Sequence, residues 1–143
     1  MAKSAAAVLA VDDSTLAWEI KRLYFVDDAP VALSRYTIPA AMVPDLDQRD
    51  LNESIMEVLA GYNLKPVFKR ENISAATTRM EEQKLLQVSR SRPLLRFVRL
   101  LKDEAGRAIA YIEASLRSDI VNVEVIMGDE PAPESSTSRG AGE

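Results

Sequence analysis

Four polar residues on two predicted strands are the residues of this chain best placed to do chemistry: Arg22, Tyr24, Ser34 and Tyr36. Alternate residues of a strand face the same side, so Arg22 and Tyr24 share one face, as do Ser34 and Tyr36. The planar guanidinium of Arg22 can donate two parallel hydrogen bonds to a carboxylate or a phosphate, which indicates anion binding. Taken alone, Arg22 also fits an edge residue whose charged end reaches solvent or an acidic partner. The two tyrosines equally fit core positions with local hydroxyl partners.

The composition restricts the other kinds of chemistry. The 143 residues include no cysteine and no histidine, which excludes disulfides, a cysteine nucleophile, a thiolate metal site and the commonest general base. We therefore predict no catalytic residue, no metal and no cofactor. The net charge of −4 disfavours binding to phosphate backbones, so we expect no direct nucleic-acid binding by this chain alone. No segment approaches the roughly 18 apolar residues that span a bilayer, and we expect a cytoplasmic protein without a membrane partner.

The sequence repeats one pattern. An apolar helix end leads into a strand, a polar turn and a second strand, first around Leu9 and Arg22 and again around Leu86 and Arg99, with 77 positions between the members of each pair. Two helix-plus-hairpin units predict one antiparallel sheet with an internal pseudo-repeat. The groove between the halves is the expected place for a ligand.

Periodicity and turn residues predict the following elements. A helix over 3–11 precedes strands over 15–26 and 31–38, and a second helix presents Leu51, Ile55, Val58 and Leu59 on one stripe, with Asp50 or Asn52 as its cap. A peripheral strand over 66–73 leads to a helix capped by Ser74 or Thr77, whose buried side is expected to be Met80, Leu85 and Leu86. The second hairpin spans 93–101 and 107–116, and a last strand spans 121–127. Residues 128–143 form a predicted disordered tail rich in Gly, Pro, Ser and Glu.

In this order the elements resemble the UTRA domain, the effector-binding half of HutC-type regulators in the GntR family of bacterial transcription factors. The resemblance covers about residues 4–127 and rests on an ordered set of short motifs. These are Ile-Lys-Arg-Leu-Tyr at 20–24, Ala-Pro-Val-Ala at 29–32, Tyr-Thr-Ile-Pro at 36–39, Leu-Asn-Glu-Ser-Ile at 51–55, the helix at 76–86, Pro-Leu-Leu-Arg-Phe-Val-Arg at 93–99, Ile-Ala-Tyr at 109–111 and Arg-Ser-Asp at 117–119.

The resemblance implies an α+β fold like that of chorismate lyase, with an antiparallel sheet flanked by helices, a small-molecule pocket and a homodimer. On this basis residues 1–127 are the ligand-binding and dimerisation domain. Complete family members carry an N-terminal winged helix-turn-helix that binds DNA. The sequence here starts within the effector domain, so we expect either a piece cut from a longer regulator or a relative that naturally lacks the DNA-binding half.

The resemblance also implies a ligand site. Relatives that bind sugar phosphates use an Arg at the place of Arg22, a carboxylate at Ser34, polar groups near the start of the helix, and Glu and Tyr on the late strand. The positions in this chain are Arg22, Tyr24, Ser34, Tyr36, Asn52, Ser54, Ala110 and Leu116. Asn52 and Ser54 also fit a cap and a first-turn helix residue. This chain departs from the sugar-phosphate pattern at four positions, Tyr24, Ser34, Ala110 and Leu116. The resemblance therefore leaves one cationic anchor, Arg22, in a mostly apolar pocket. We expect the effector to be a small, partly apolar anion.

Two other functions remain open. A chorismate-lyase-like enzyme would share the fold, but the expected pocket positions offer no carboxylate for acid–base chemistry. A dimerisation module without a ligand would have side chains filling the pocket. Arg117 and Asp119 are interpreted as a pair that fixes the turn before the last strand, and Arg35 and Glu113 as groups on the face opposite the pocket.

Overall fold

A single antiparallel sheet organises the computed structural model, which describes residues 5–6, 9, 11–12 and 14–124. The strands are β1 (Ala17–Val26), β2 (Ala29–Pro39), β3 (Phe68–Ala76), β4 (Leu94–Lys102) and β5 (Ala108–Leu116). Their order in the sheet is β1-β2-β5-β4-β3. The two hairpins are therefore neighbours through β2 and β5, and β3 lies at an edge, as predicted. The internal repeat itself stays a prediction.

Both hairpin turns are set by local sequence. β1 and β2 are joined at Asp27 and Asp28, whose φ angles are 49° and 66°. Positive φ at both central residues is the geometry that matches the twist of two antiparallel strands, and Asp tolerates it better than most residues. β4 and β5 are joined through Gly106, whose φ is 80°. Glycine adopts this angle without the steric cost of a Cβ.

The front face of the sheet, as we name it, carries the predicted ligand residues. Strand register places these side chains on it: Trp18, Ile20, Arg22 and Tyr24 of β1, Ser34, Tyr36 and Ile38 of β2, Ala110, Ile112, Ala114 and Leu116 of β5, Phe97, Arg99 and Leu101 of β4, and Lys69 and Glu71 of β3. The segment 40–64 packs over part of this face. It contributes Val43, Leu46, Ile55, Val58, Leu59 and Leu64 to the main hydrophobic core.

Helix α1 (Ile55–Ala60) lies in that covering segment. Its N-cap is Ser54, whose Oγ accepts from the backbone N–H of Glu57, while the Glu57 carboxylate accepts from the N–H of Ser54. This reciprocal capping box satisfies two N–H groups that the helix itself leaves unpaired. The predicted caps were wrong: Asp50 instead accepts from the N–H of Asn52 in a turn before the helix.

Helix α2 (Met80–Leu86) packs on the other side of the sheet, which we name the back face. Leu86 is fully buried there with Leu33, Val88 and Leu94. The predicted buried side of this helix was wrong in part, because Met80 is 69% exposed and Leu85 is 37% exposed. Glu82, which was not among the residues predicted to be buried, is 3% exposed. The Glu82 carboxylate forms an ion pair with Arg96 of β4. This ion pair, rather than apolar periodicity, sets the orientation of the short helix.

The remaining predictions concern the first helix, the caps of α2 and the residues after β5. Ala5, Ala6 and Leu9 are helical and buried. Of the strand predicted at 121–127, residues 121–124 are described and are not in a strand, while 125–127 lie outside the described residues. The predicted caps Ser74 and Thr77 were also wrong, since Ser74 is within β3 and Arg79 is the N-cap of α2. The tail predicted at 128–143 lies outside the described residues.

Candidate functional site

Strand pairing brings the predicted ligand residues of the sheet onto one face. Arg22 lies directly opposite Ser34, and Tyr24 opposite Ala32. Tyr36 pairs with Ile112 of the central strand β5. The face parity inferred from alternation is therefore confirmed for both β1 and β2. The ligand role of these residues stays a prediction.

The guanidinium of Arg22 interacts with other groups of the protein. Its Nη2 donates a 2.8 Å hydrogen bond to the backbone carbonyl of Leu51, and its guanidinium carbon lies 5.6 Å from the centroid of the Tyr36 ring. Leu51 belongs to the segment that covers the front face. Arg22 therefore ties that segment to the first strand, which the sequence could not show because the two groups are 29 positions apart.

Tyr36 occupies the middle of the front face and is 7% exposed. Its hydroxyl lies 2.8 Å from that of Tyr24. Burial of the phenol, reinforced by the Tyr24 hydrogen bond, raises the pKa of Tyr36 to about 12. Tyr36 is thus a neutral phenol at physiological pH, able to donate or accept a hydrogen bond but not to act as a base.

The remaining predicted site residues are less available. Ser54 is committed to its capping box, and Asn52 is exposed in the preceding turn. Ala110 is fully buried beneath the covering segment, beside Leu101. Leu116 lies near the other end of β5, opposite Ala32 and Leu95. None of these four residues is among those that line the front-face cavity described next.

A cavity of about 410 Å³ opens on the front face beside α1. This volume falls within the range of small-molecule sites. Among the described residues, two cations, one neutral phenol and an apolar majority surround it. The lining residues are Tyr36, Ile55, Met56, Pro66, Val67, Lys69, Arg99, Leu101 and Ile112.

Arg99 and Lys69 are the polar residues that the sequence analysis missed. The expectation of a single cation on this face was wrong, because register puts Arg99 opposite Ile112 and Lys69 opposite Leu101. Arg99 Nε donates a 2.7 Å hydrogen bond to Oε1 of Glu71 on the neighbouring strand. A signal for Arg99 was present: it is the counterpart of Arg22 in the sequence repeat.

The back face holds the charged groups assigned to it. Arg35 pairs with Glu81 at 2.6 Å and with Glu19 at 3.5 Å, and Glu113 pairs with Arg79. The predicted turn pair is also confirmed, since Arg117 Nη2 donates to Asp119 Oδ2 at 3.0 Å. The bond from Arg117 is the main reason that the pKa of Asp119 is lowered. These groups serve structure and lie away from the front-face cavity.

The amino-acid sequence of this chain is similar to those of known transcriptional regulators. Residues 2–122 match the UTRA domain. The HTH-type transcriptional regulator GgaR of Escherichia coli K12 is 26% identical over 112 residues, 78% of this chain and 44% of that protein. The HTH-type transcriptional repressor NagR of Bacillus subtilis is 26% identical over 117 residues, 80% of this chain and 47% of that protein. This chain thus spans less than half the length of these relatives.

The fold has a solved counterpart in the effector domain of PhnF from Mycobacterium smegmatis. That domain has a TM-score of 0.80 and 21% identity, covering 90% of this chain and 80% of that chain. The likeness confirms the predicted α+β antiparallel sheet flanked by helices. No helix in the described part of the chain has the length and apolar content to cross a bilayer.

Proposed function

The chain belongs to the UTRA domain family, the effector-binding domains of GntR-type transcriptional regulators, and we propose that its front-face cavity binds a small, partly apolar anion. One observation carries the proposal: a 410 Å³ space combines an apolar lining with Lys69, Arg99 and the neutral hydroxyl of Tyr36. Burial of apolar surface away from water contributes to the affinity for a ligand. A few polar groups at fixed positions determine the orientation of the ligand and the specificity of the site.

Ligand occupancy is proposed to control DNA binding by a separate winged-helix domain. Both curated relatives are named as HTH-type regulators, and this chain matches only part of each. We propose a homodimer in the cytoplasm, in which the bound effector changes the relative placement of two protomers. The net charge of −4 supports the assignment of DNA contact to a different domain. Size-exclusion chromatography with light scattering tests the dimer, and a monomer at micromolar concentration would remove this mechanism.

The rival proposal of a chorismate-lyase-like enzyme is weaker. The relatives are transcriptional regulators, which indicates a regulatory rather than catalytic domain. No carboxylate is among the described residues lining the cavity, and the phenol of Tyr36 is far from titrating near neutral pH. We expect no conversion of chorismate by the purified chain. Turnover above the uncatalysed rate that disappears on blocking the cavity would contradict this.

Cavity occupancy can be tested with a matched pair of variants. Met56 lines the cavity and is 49% exposed, so Met56→Trp places a bulky ring at its opening. Met80→Trp makes the same change on α2, behind the sheet, at a residue that is 69% exposed. A thermal-shift screen of aromatic acids, short aliphatic acids and hexosamine phosphates should find acids that stabilise the wild type and Met80→Trp but not Met56→Trp.

The same screen separates the alternatives. Stabilisation by hexosamine phosphates alone would refute the partly apolar acid while leaving a ligand-binding domain. Stabilisation that survives Met56→Trp would place the ligand elsewhere. No stabilisation by any of the three classes would favour the dimerisation module without a ligand.

A further inference from the structure

We propose that Arg99, together with Lys69, is the anion anchor of the front-face cavity, and that Arg22 is a positioning residue for the segment covering it. The ligand that this arrangement selects is a monocarboxylate with an apolar body. The inference rests on the proposed function and names the ligand class of the same cavity.

The guanidinium of Arg99 lines the cavity and is fixed on one side by an ion pair. Its Nε donates to Glu71 at 2.7 Å, and the Glu71 side chain is 22% exposed, so the partner itself is well packed. That bond uses the Nε–H of the guanidinium. It leaves the edge formed by Nη1 and Nη2 available to a carboxylate. Lys69 of the same cavity is exposed and adds a second, mobile donor.

Arg22 lacks that freedom. Its Nη2 bond to the Leu51 carbonyl and its position over the Tyr36 ring hold the guanidinium within the protein, and it does not line the cavity. Three strand spacings separate β1 from β4, which is about 14 Å at the usual distance between strands. Arg99 lines the cavity and Arg22 does not, so an acid held in the cavity has its carboxylate near Arg99.

The charge balance around Arg99 selects the ligand charge. Lys69 and Arg99 are two cations, and Glu71 is one anion bonded to Arg99. The excess of one positive charge matches a single carboxylate, because an unbalanced second charge in a partly dehydrated site is costly. Beyond the carboxylate, the side chains of Leu101, Ile112 and Met56 offer apolar contact.

The test compares benzoate with its neutral isostere benzamide by isothermal titration calorimetry at millimolar ligand and fixed ionic strength. The wild type should prefer benzoate by about tenfold or more, the size expected for a hydrogen-bonded charge. Arg99→Gln should abolish this preference, and Arg99→Lys should restore part of it. Arg22→Gln should weaken both ligands to the same extent and leave their ratio unchanged.

Arg70→Gln is the matched charge control. Arg70 is exposed on β3 next to Glu71 but faces the back of the sheet, so its loss changes the net charge equally without touching the cavity. The Arg70→Gln variant should prefer benzoate over benzamide by the same factor as the wild type. If Arg22→Gln removes the preference and Arg99→Gln keeps it, the anchor assignment is overturned while the effector-binding proposal stands. Equal affinity for benzoate and benzamide, or no binding of benzoate, would overturn the monocarboxylate class in the same way.

Discussion

Glu82 gives the sharpest prediction about stability. Its side chain, 4% exposed, accepts from Arg96 Nη2 at 2.7 Å, from the backbone N–H of Arg79 at 2.8 Å and from the hydroxyl of Ser115. Arg96 is itself only 13% exposed. Glu82→Leu keeps the size of the side chain but removes every acceptor, which leaves a buried guanidinium without a counter-ion.

The expected cost is about 3–5 kcal/mol of unfolding free energy, the range for breaking one side of a buried ion pair. With an m-value near 2 kcal/mol/M, the urea midpoint falls by about 2 M. Circular dichroism during urea titration at pH 7 measures it. The double variant Glu82→Leu/Arg96→Leu is the control and should recover at least half of the loss, because no charge then stays buried.

The same carboxylate predicts a pH dependence. Burial raises the pKa of Glu82, but the hydrogen bonds from Ser115, Arg96 and the Arg79 backbone outweigh it and lower the pKa below its ordinary value of 4.5. A carboxyl with a lowered native pKa stabilises the fold above its unfolded-state pKa, and this contribution disappears as the pH falls through the native pKa. Between pH 6 and pH 3 the wild type should therefore lose more stability than Glu82→Leu.

Two results would refute this reasoning. A Glu82→Leu variant within about 1 kcal/mol of the wild type at pH 7 would mean that the ion pair has little net effect. A double variant as unstable as the single one would mean that packing, not the unpaired charge, causes the loss.

Three further perturbations have expected outcomes. Ser54→Ala removes the cap of α1 and should cost about 1 kcal/mol in urea unfolding, whereas an unchanged midpoint would show that the capping box does not stabilise the helix. Tyr36→Phe should remove a step near pH 12 from the spectrophotometric tyrosine titration, and the assignment fails if that step survives. Leu59→Ala opens a space in the fully buried core and should cost about 2–5 kcal/mol, and a loss below 1 kcal/mol would mean that the core collapses to fill it.

Local sequence was sufficient for the hairpins and for the faces of their strands. The alternation that puts Arg22 beside Tyr24 and Ser34 beside Tyr36 has a period of two residues, so it depends only on the strand being a strand. The turn at Asp27 and Asp28 depends on the preferences of two residues. Such features are decided within a few positions of the chain. The strand faces were predicted correctly, but the second strand was predicted to begin at Val31, whereas β2 begins at Ala29.

Helix α2 shows where local patterning failed. Its apolar residues suggested a buried side that included Met80 and Leu85, yet both are exposed. Its seven residues make fewer than two full turns, too few for a reliable apolar stripe. The interaction of Glu82 with Arg96, 14 positions away, determines which side faces the sheet.

The amino-acid sequence by itself determined the strands of the two hairpins, their faces and the absence of histidine and cysteine chemistry. Only the tertiary structure decided that Arg22 bonds to the Leu51 carbonyl and that Arg99 and Lys69 line the cavity beside Tyr36. The physical reason is that side-chain direction follows from the local backbone. A cavity, by contrast, depends on strand order, on register between distant segments and on what the segment 40–64 leaves uncovered.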